Sequence, residues 1–137
     1  MRGISFKAVL IATVAVFGLD IFVGSVLVGI FSEGFSPEMT EQEMDALFAG
    51  LLENGAYMFW SAVLGTLTTI VGGYIAARKA GSLPYKNAFA FGLLGILIGS
   101  FMMGDLPTWY NVLWVVTTLP AALCGGYIAK RQMQANA

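Results

Sequence analysis

The sequence predicts an all-α membrane protein: four transmembrane helices forming two parallel, duplicated helical hairpins, with a short amphipathic extracytoplasmic helix between the first two spans. Three observations predict it. Of 137 residues, 58% are apolar and 11% charged, with a mean hydropathy of +0.78. A soluble domain of this length needs more charge on its surface. Four apolar stretches approach or exceed the ~20 residues that cross a hydrocarbon core roughly 30 Å thick. Finally, Gly72-Gly73-Tyr74-Ile75-Ala76-Ala77-Arg78 recurs 53 positions later as Gly125-Gly126-Tyr127-Ile128-Ala129-Lys130-Arg131. The same offset aligns Tyr57 with Tyr110, so the match reaches across a whole segment.

The first span covers about 8–31, behind Arg2 and Lys7. It exceeds the roughly 7–15 residues of a signal-peptide core, and no A-x-A-like site follows, so it is expected to be retained. Asp20 is the only ionisable residue deep in any apolar stretch. Residues 32–54 hold six of the eight acidic residues. Within them Ser36-Pro37-Glu38 predicts an N-cap, an N1 proline and an early acid, hence a helix over about 37–52. Met44, Leu47, Phe48, Leu51 and Leu52 give it an apolar stripe opposite an acidic face. Lacking lysine and arginine, it is expected to lie on the outer interface or cap the bundle.

The second span is predicted over 56–77, with aromatic residues at both ends, as headgroup anchoring requires. Gly81, Ser82 and Pro84 mark a turn. The third span, 87–103, carries Ala88-x3-Gly92 and Gly95-x3-Gly99, small-residue spacings that let helices approach closely and suggest the centre of packing. Gly104-Asp105-Leu106-Pro107 predicts a tight turn before the fourth span, 108–129, which Pro120 is expected to kink, with a neighbouring hydroxyl relieving the freed carbonyl. The tail after Arg131 shows no pattern. Cys124, the single cysteine, reads as a small packing residue.

All seven basic residues fall at the N-terminus, the second-to-third loop and the C-terminus, whereas seven of the eight acidic residues fall in the other two loops. The positive-inside rule then puts both termini in the cytoplasm. Both hairpins run in the same sense, so the repeat is parallel. Lys7 corresponds to Lys86 at an offset of 79, and the excess over 53 is the acidic insertion. In architecture alone the chain resembles small bacterial membrane proteins built from repeated hairpins, which implies the bacterial inner membrane.

Chemistry is sparse. There is no histidine, phosphate-binding loop, dinucleotide fingerprint, metal-ligand set or nucleophile–base pair. No cofactor, metal, catalytic residue or nucleic-acid contact is expected, and the chain is not expected to be an enzyme. Asp20 lies 13 residues from both Lys7 and Glu33, about 20 Å from either end of its helix and so near mid-membrane. Counting 13 back from Arg78 and Arg131 reaches Gly65 and Thr118. Thr66, Thr69, Thr117 and Thr118 are therefore candidates for a polar layer around Asp20. No basic residue in any span neutralises it, so its carboxyl either keeps its proton or opens to a water-filled cavity. Arg78, Lys79, Lys86, Lys130 and Arg131 are candidate lipid-headgroup contacts, beside a structural role in fixing topology.

The expectation is a non-enzymatic interaction, accessory or assembly subunit. Its partners would be the lipid bilayer and either further copies of itself or other membrane proteins. The alternative is a small oligomeric transporter or channel using Asp20 for a proton, a cation or a cationic substrate. An intramembrane enzyme acting on lipid is a weaker third reading.

Overall fold

The computed structural model describes residues 3–102, 104 and 106–136. Arg2, the expected span end at Met103 and the expected turn residue Asp105 lie outside them. The described chain is helical: α1 (Phe6–Phe31), α2 (Glu41–Glu53), α3 (Gly55–Ala80), α4 (Pro84–Met102) and α5 (Thr108–Ala135). All but α2 are long and apolar enough to cross a membrane, which marks the chain as a multi-pass membrane protein.

Local chemistry sets the ends. The Ser5 hydroxyl caps α1 by accepting from the Ala8 N–H at 3.3 Å. At the other end the Ser32 N–H donates to the Val28 carbonyl at 2.8 Å. The following helix starts later than predicted. Ser36 merely accepts from the Glu38 N–H in a local turn, and α2 begins after Thr40. There a reciprocal capping box forms: the Thr40 N–H donates to the Glu43 carboxylate at 2.8 Å and the Glu43 N–H to the Thr40 hydroxyl at 3.4 Å. Two otherwise free donors are satisfied at once, which a lone serine cap does not achieve. Asn54 closes α2 and opens α3, its side-chain oxygen accepting from the N–H groups of Ala56 and Tyr57. Gly81, with φ of 65°, ends α3 in the left-handed conformation. Pro84 then occupies the first position of α4, where its missing N–H costs nothing.

At the C-terminal side α5 runs on through the tail to Ala135 rather than stopping near 129. Residues 132–135 include good helix formers, and the Tyr74 hydroxyl donates to the Gln132 side-chain oxygen at 2.7 Å. Pro120 lies inside this continuous helix. The neighbouring threonines do not serve the carbonyl it frees: Thr117 donates to Leu113 and Thr118 to Trp114.

Four long helices form a ring in the order α1, α3, α5, α4, with α3 and α4 also touching across it. α1 and α5 occupy opposite corners. The centre of packing is α3, not the third span (α4) as expected, because α3 touches every other helix, α2 included. Its glycine pair explains this. A Cβ on Gly72 would collide with Phe91 and Val16, and one on Gly73 would lie 2.8 Å from the Ala122 carbonyl carbon. The matching Gly125 faces α3 in return, where a Cβ would approach the Gly73 carbonyl carbon to 3.0 Å. The two copies of the glycine motif therefore pack against each other, backbone on backbone.

Most buried side chains lie toward the end that carries Lys7, Arg78, Lys86 and Lys130, here called the basic end. They include Ala8, Ala12, Ala76, Ala88, Ala122 and Ala129. Alanine and glycine make thin helices, and thin helices close the bundle there. Toward the opposite, acidic end fewer side chains are buried, Leu27, Leu51 and Met58 among them.

Candidate functional site

The site is built upward from a lock at the basic end. Asn87, wholly buried on α4, accepts from the Ser5 N–H at 2.7 Å and donates to the carbonyls of Ser82 and Leu83 at 2.9 and 3.1 Å. Both its polar atoms are satisfied, so it fixes the start of α1 against the α3–α4 turn. Above it Val9, Ala12 and Val16 pack on Phe91. Beyond Phe91 the gap between α1 and α4 widens into a cavity of about 430 Å³.

Asp20 lines this cavity and is exposed within it. Thr13 and Phe17 come from the same helix, Thr69 from α3, Gly95, Ile98 and Met102 from α4, and Trp114 and Thr118 from α5. A second cavity of about 400 Å³ opens between α3 and α5, lined by Thr66, Thr117, Tyr110 and Phe59 among others. Thr69, Trp114 and Thr118 line both and form the wall between them.

Of the four threonines singled out in sequence, the structure thus brings Thr69 and Thr118 to the Asp20 cavity and turns Thr66 and Thr117 to the other one. The neighbour that sequence reasoning missed is Thr68, a buried polar side chain of α3 beside Asp20. Asn87 was missed too, although an asparagine within an apolar run three residues past a proline is a visible signal.

Hydrogen-bond directions decide what this lining offers. Thr13 donates its hydroxyl proton to Val9, Thr68 and Thr69 to Gly65, and Thr118 to Trp114, in each case to a carbonyl of its own helix. A hydroxyl has one proton and two lone pairs. What these four still present is acceptors. No lysine or arginine among the described residues lines either cavity. Among the described residues no three His, Cys, Asp or Glu side chains converge as metal ligands would.

At the basic end Lys130 places its Nζ 5.1 Å from the Tyr85 ring centre, and the Arg131 guanidinium lies 5.6 Å from the Tyr127 ring. Such cation–π contacts hold the two charges at the level of the rings. Arg78, Lys79 and Lys86 are exposed beside them. Cys124, expected to pack, is instead exposed on α5, because Gly125 and Gly126 take the inward-facing positions.

The chain matches no family model, no curated protein and no solved structure.

Proposed function

We propose that this is a small, non-enzymatic multi-pass protein of the bacterial inner membrane that works by association, as an accessory or assembly subunit or as a self-associating bundle. The observation that carries this is the half-closed ring. Packing is complete at the basic end, whereas two grooves stay open toward the acidic end. Partners supply the missing surface, either further copies or other membrane proteins within the bilayer. Nucleic acid has no place in this reading.

The topology is part of the proposal. The basic end faces the cytoplasm with both termini, on the positive-inside rule. α2, acidic and carrying Met44, Leu47 and Leu51 on its inner side, lies extracytoplasmically against α3. α1 with α3 and α4 with α5 are the duplicated parallel hairpins; their pairwise packing and the meeting of the glycine motifs support this. Arg78, Lys79, Lys86, Lys130 and Arg131 then meet anionic headgroups, each worth about 1 kcal/mol near the surface.

A second reading is favoured by one observation, the exposure of Asp20 in an unneutralised cavity. In it the protein is a small oligomeric transporter or channel, and Asp20 binds a proton, a cation or a cationic substrate.

Native mass spectrometry of the full chain extracted in mild detergent tests the first reading. The expected result is a complex holding more than one copy or a second membrane protein. A bare monomer at every protein concentration would refute it. A reporter fused after Ala137 tests the topology, and periplasmic activity would overturn it.

A further inference from the structure

We propose that the Asp20 cavity binds a lipophilic monovalent ammonium ion, an organic amine with an apolar body. This rests on the second reading of Asp20, though on binding and not on transport.

Charge comes first. Among the described residues Asp20 is the sole ionisable side chain lining the cavity, with no second carboxylate and no cation. The ligand that balances it carries one positive charge. Hydrogen bonding then narrows the chemistry. The hydroxyl protons of Thr13, Thr69 and Thr118 are committed to their own helices, so among the described lining side chains only the Trp114 indole N–H is left as a donor and acceptors predominate. An ionised carboxylate is acceptor-only. A ligand rich in donors suits such a lining, and a protonated amine brings two or three N–H groups on one charged atom.

Size and wall chemistry exclude a bare ion as the best occupant. A volume of about 430 Å³ falls within the ~300–1,000 Å³ of organic-ligand sites. Phe17, Phe91, Ile98 and Trp114 make most of the wall apolar. A proton or alkali ion leaves that wall uncovered, whereas an aryl or alkyl body covers it. Aromatic faces additionally attract a cation. Access follows from the lock at the basic end: Val16 and Phe91 close the floor, and exposed Phe17, Ile21 and Met102 form the rim. The ligand enters sideways or from the acidic end.

The test uses full-length protein in nanodiscs, titrated with 4-phenylbutylamine against empty nanodiscs and read by tryptophan fluorescence and calorimetry. Wild type is expected to bind saturably. Asp20→Asn should weaken binding about 10- to 100-fold, the span of one charge-assisted hydrogen bond, and neutral 4-phenylbutanol should bind equally poorly. Gly95→Leu provides a variant that leaves Asp20 in place. A Cβ at Gly95 meets nothing within 4 Å, so the larger side chain has room to start into the cavity it lines, and amine binding should fall at least tenfold. No saturable binding, equal binding by Asp20→Asn, or equal binding of the alcohol would each overturn the proposal. Transport is scored separately in proteoliposomes. Asp20-dependent proton or potassium flux without amine binding sinks this inference and leaves the second reading standing. Amine binding without any flux does the reverse.

Discussion

Placing a methyl group on Gly73 or Gly125 tests the backbone-on-backbone crossing of α3 and α5 directly. At both positions a Cβ falls inside 3 Å of opposing backbone atoms, of Ala122 in one case and of Ile70 and Tyr74 in the other. Backbone cannot swing aside as a side-chain tip can, so the helices must separate. Overpacking costs about 1–3 kcal/mol, and a rigid neighbour places these two at the upper end. Against this, alanine gains up to about 1 kcal/mol over glycine in helix propensity. The net expectation is a loss of about 2 kcal/mol for Gly73→Ala and for Gly125→Ala. Gly65→Ala and Gly95→Ala are the matched controls, since neither Cβ meets an atom within 4 Å, and they keep only the propensity gain. The double variant should cost less than the sum, because the first methyl already parts the surfaces that the second one meets. Unfolding by a rising mole fraction of SDS in mixed micelles, followed by circular dichroism, reads the difference. Equal midpoints for Gly73→Ala and Gly65→Ala would refute the crossing.

Three further outcomes are expected. Asn87→Leu strands the Ser5 N–H and the Ser82 and Leu83 carbonyls; at about 1–3 kcal/mol for an unpaired buried group, it should lower the same midpoint, and an unchanged midpoint would count against the lock. Tyr74→Phe removes the exposed bond to Gln132, so amide exchange in the last turn of α5 should speed up while the midpoint stays put. Acid should loosen the start of α2. Hydrogen bonds from the Thr40 N–H and then its hydroxyl hold the Glu43 carboxyl below its ordinary value. Such a lowered value stabilises the folded form above the unfolded pKa of about 4.3, and that contribution is lost as pH falls through the folded one. Exchange at the Thr40 amide should therefore accelerate below that pH in wild type but not in Glu43→Gln, whose amide oxygen accepts the same bond at any pH.

The four spans were legible because bilayer thickness imposes a length and a composition that short apolar runs do not mimic. Their ends were less so. Ser36-Pro37-Glu38 has the composition of a helix start, yet Thr40 and Glu43 win because their two bonds are reciprocal. The last turns of α5 carry no apolar period, and their order owes part of its support to a bond from another helix. At the candidate site, counting from Lys7, Arg78 and Arg131 gives height along a helix but not rotation about it. Thr66 and Thr69 are both near the level of Asp20, but only Thr69 turns toward its cavity. Thr68 needed knowledge of which helix stands beside α1, and one sequence does not encode that in any local pattern.

The proposed repeat gives the Asp20 cavity a physical counterpart in the other hairpin. At the offset of 79 Asp20 corresponds to Gly99, and at the offset of 53 Ser61 corresponds to Trp114. In the second hairpin the Trp114 ring lies so close over Gly99 that a Cβ there would clash with it. The first hairpin has a carboxyl where that glycine stands and a small hydroxyl where that ring stands. One copy thus joins its two helices with an indole on a glycine, and the other has no ring at the position that corresponds to Trp114. A charged aspartate at mid-membrane costs about 2.5–3.5 kcal/mol on insertion scales, and an unfilled groove gives up dispersion contacts besides. The glycine crossing and the Asn87 lock lie toward the basic end, away from Asp20, so they hold the four helices together without closing the groove. Division of labour along the helix axis, with packing at one end and an acceptor-lined hollow at the middle, is what lets so short a chain carry a polar site at all.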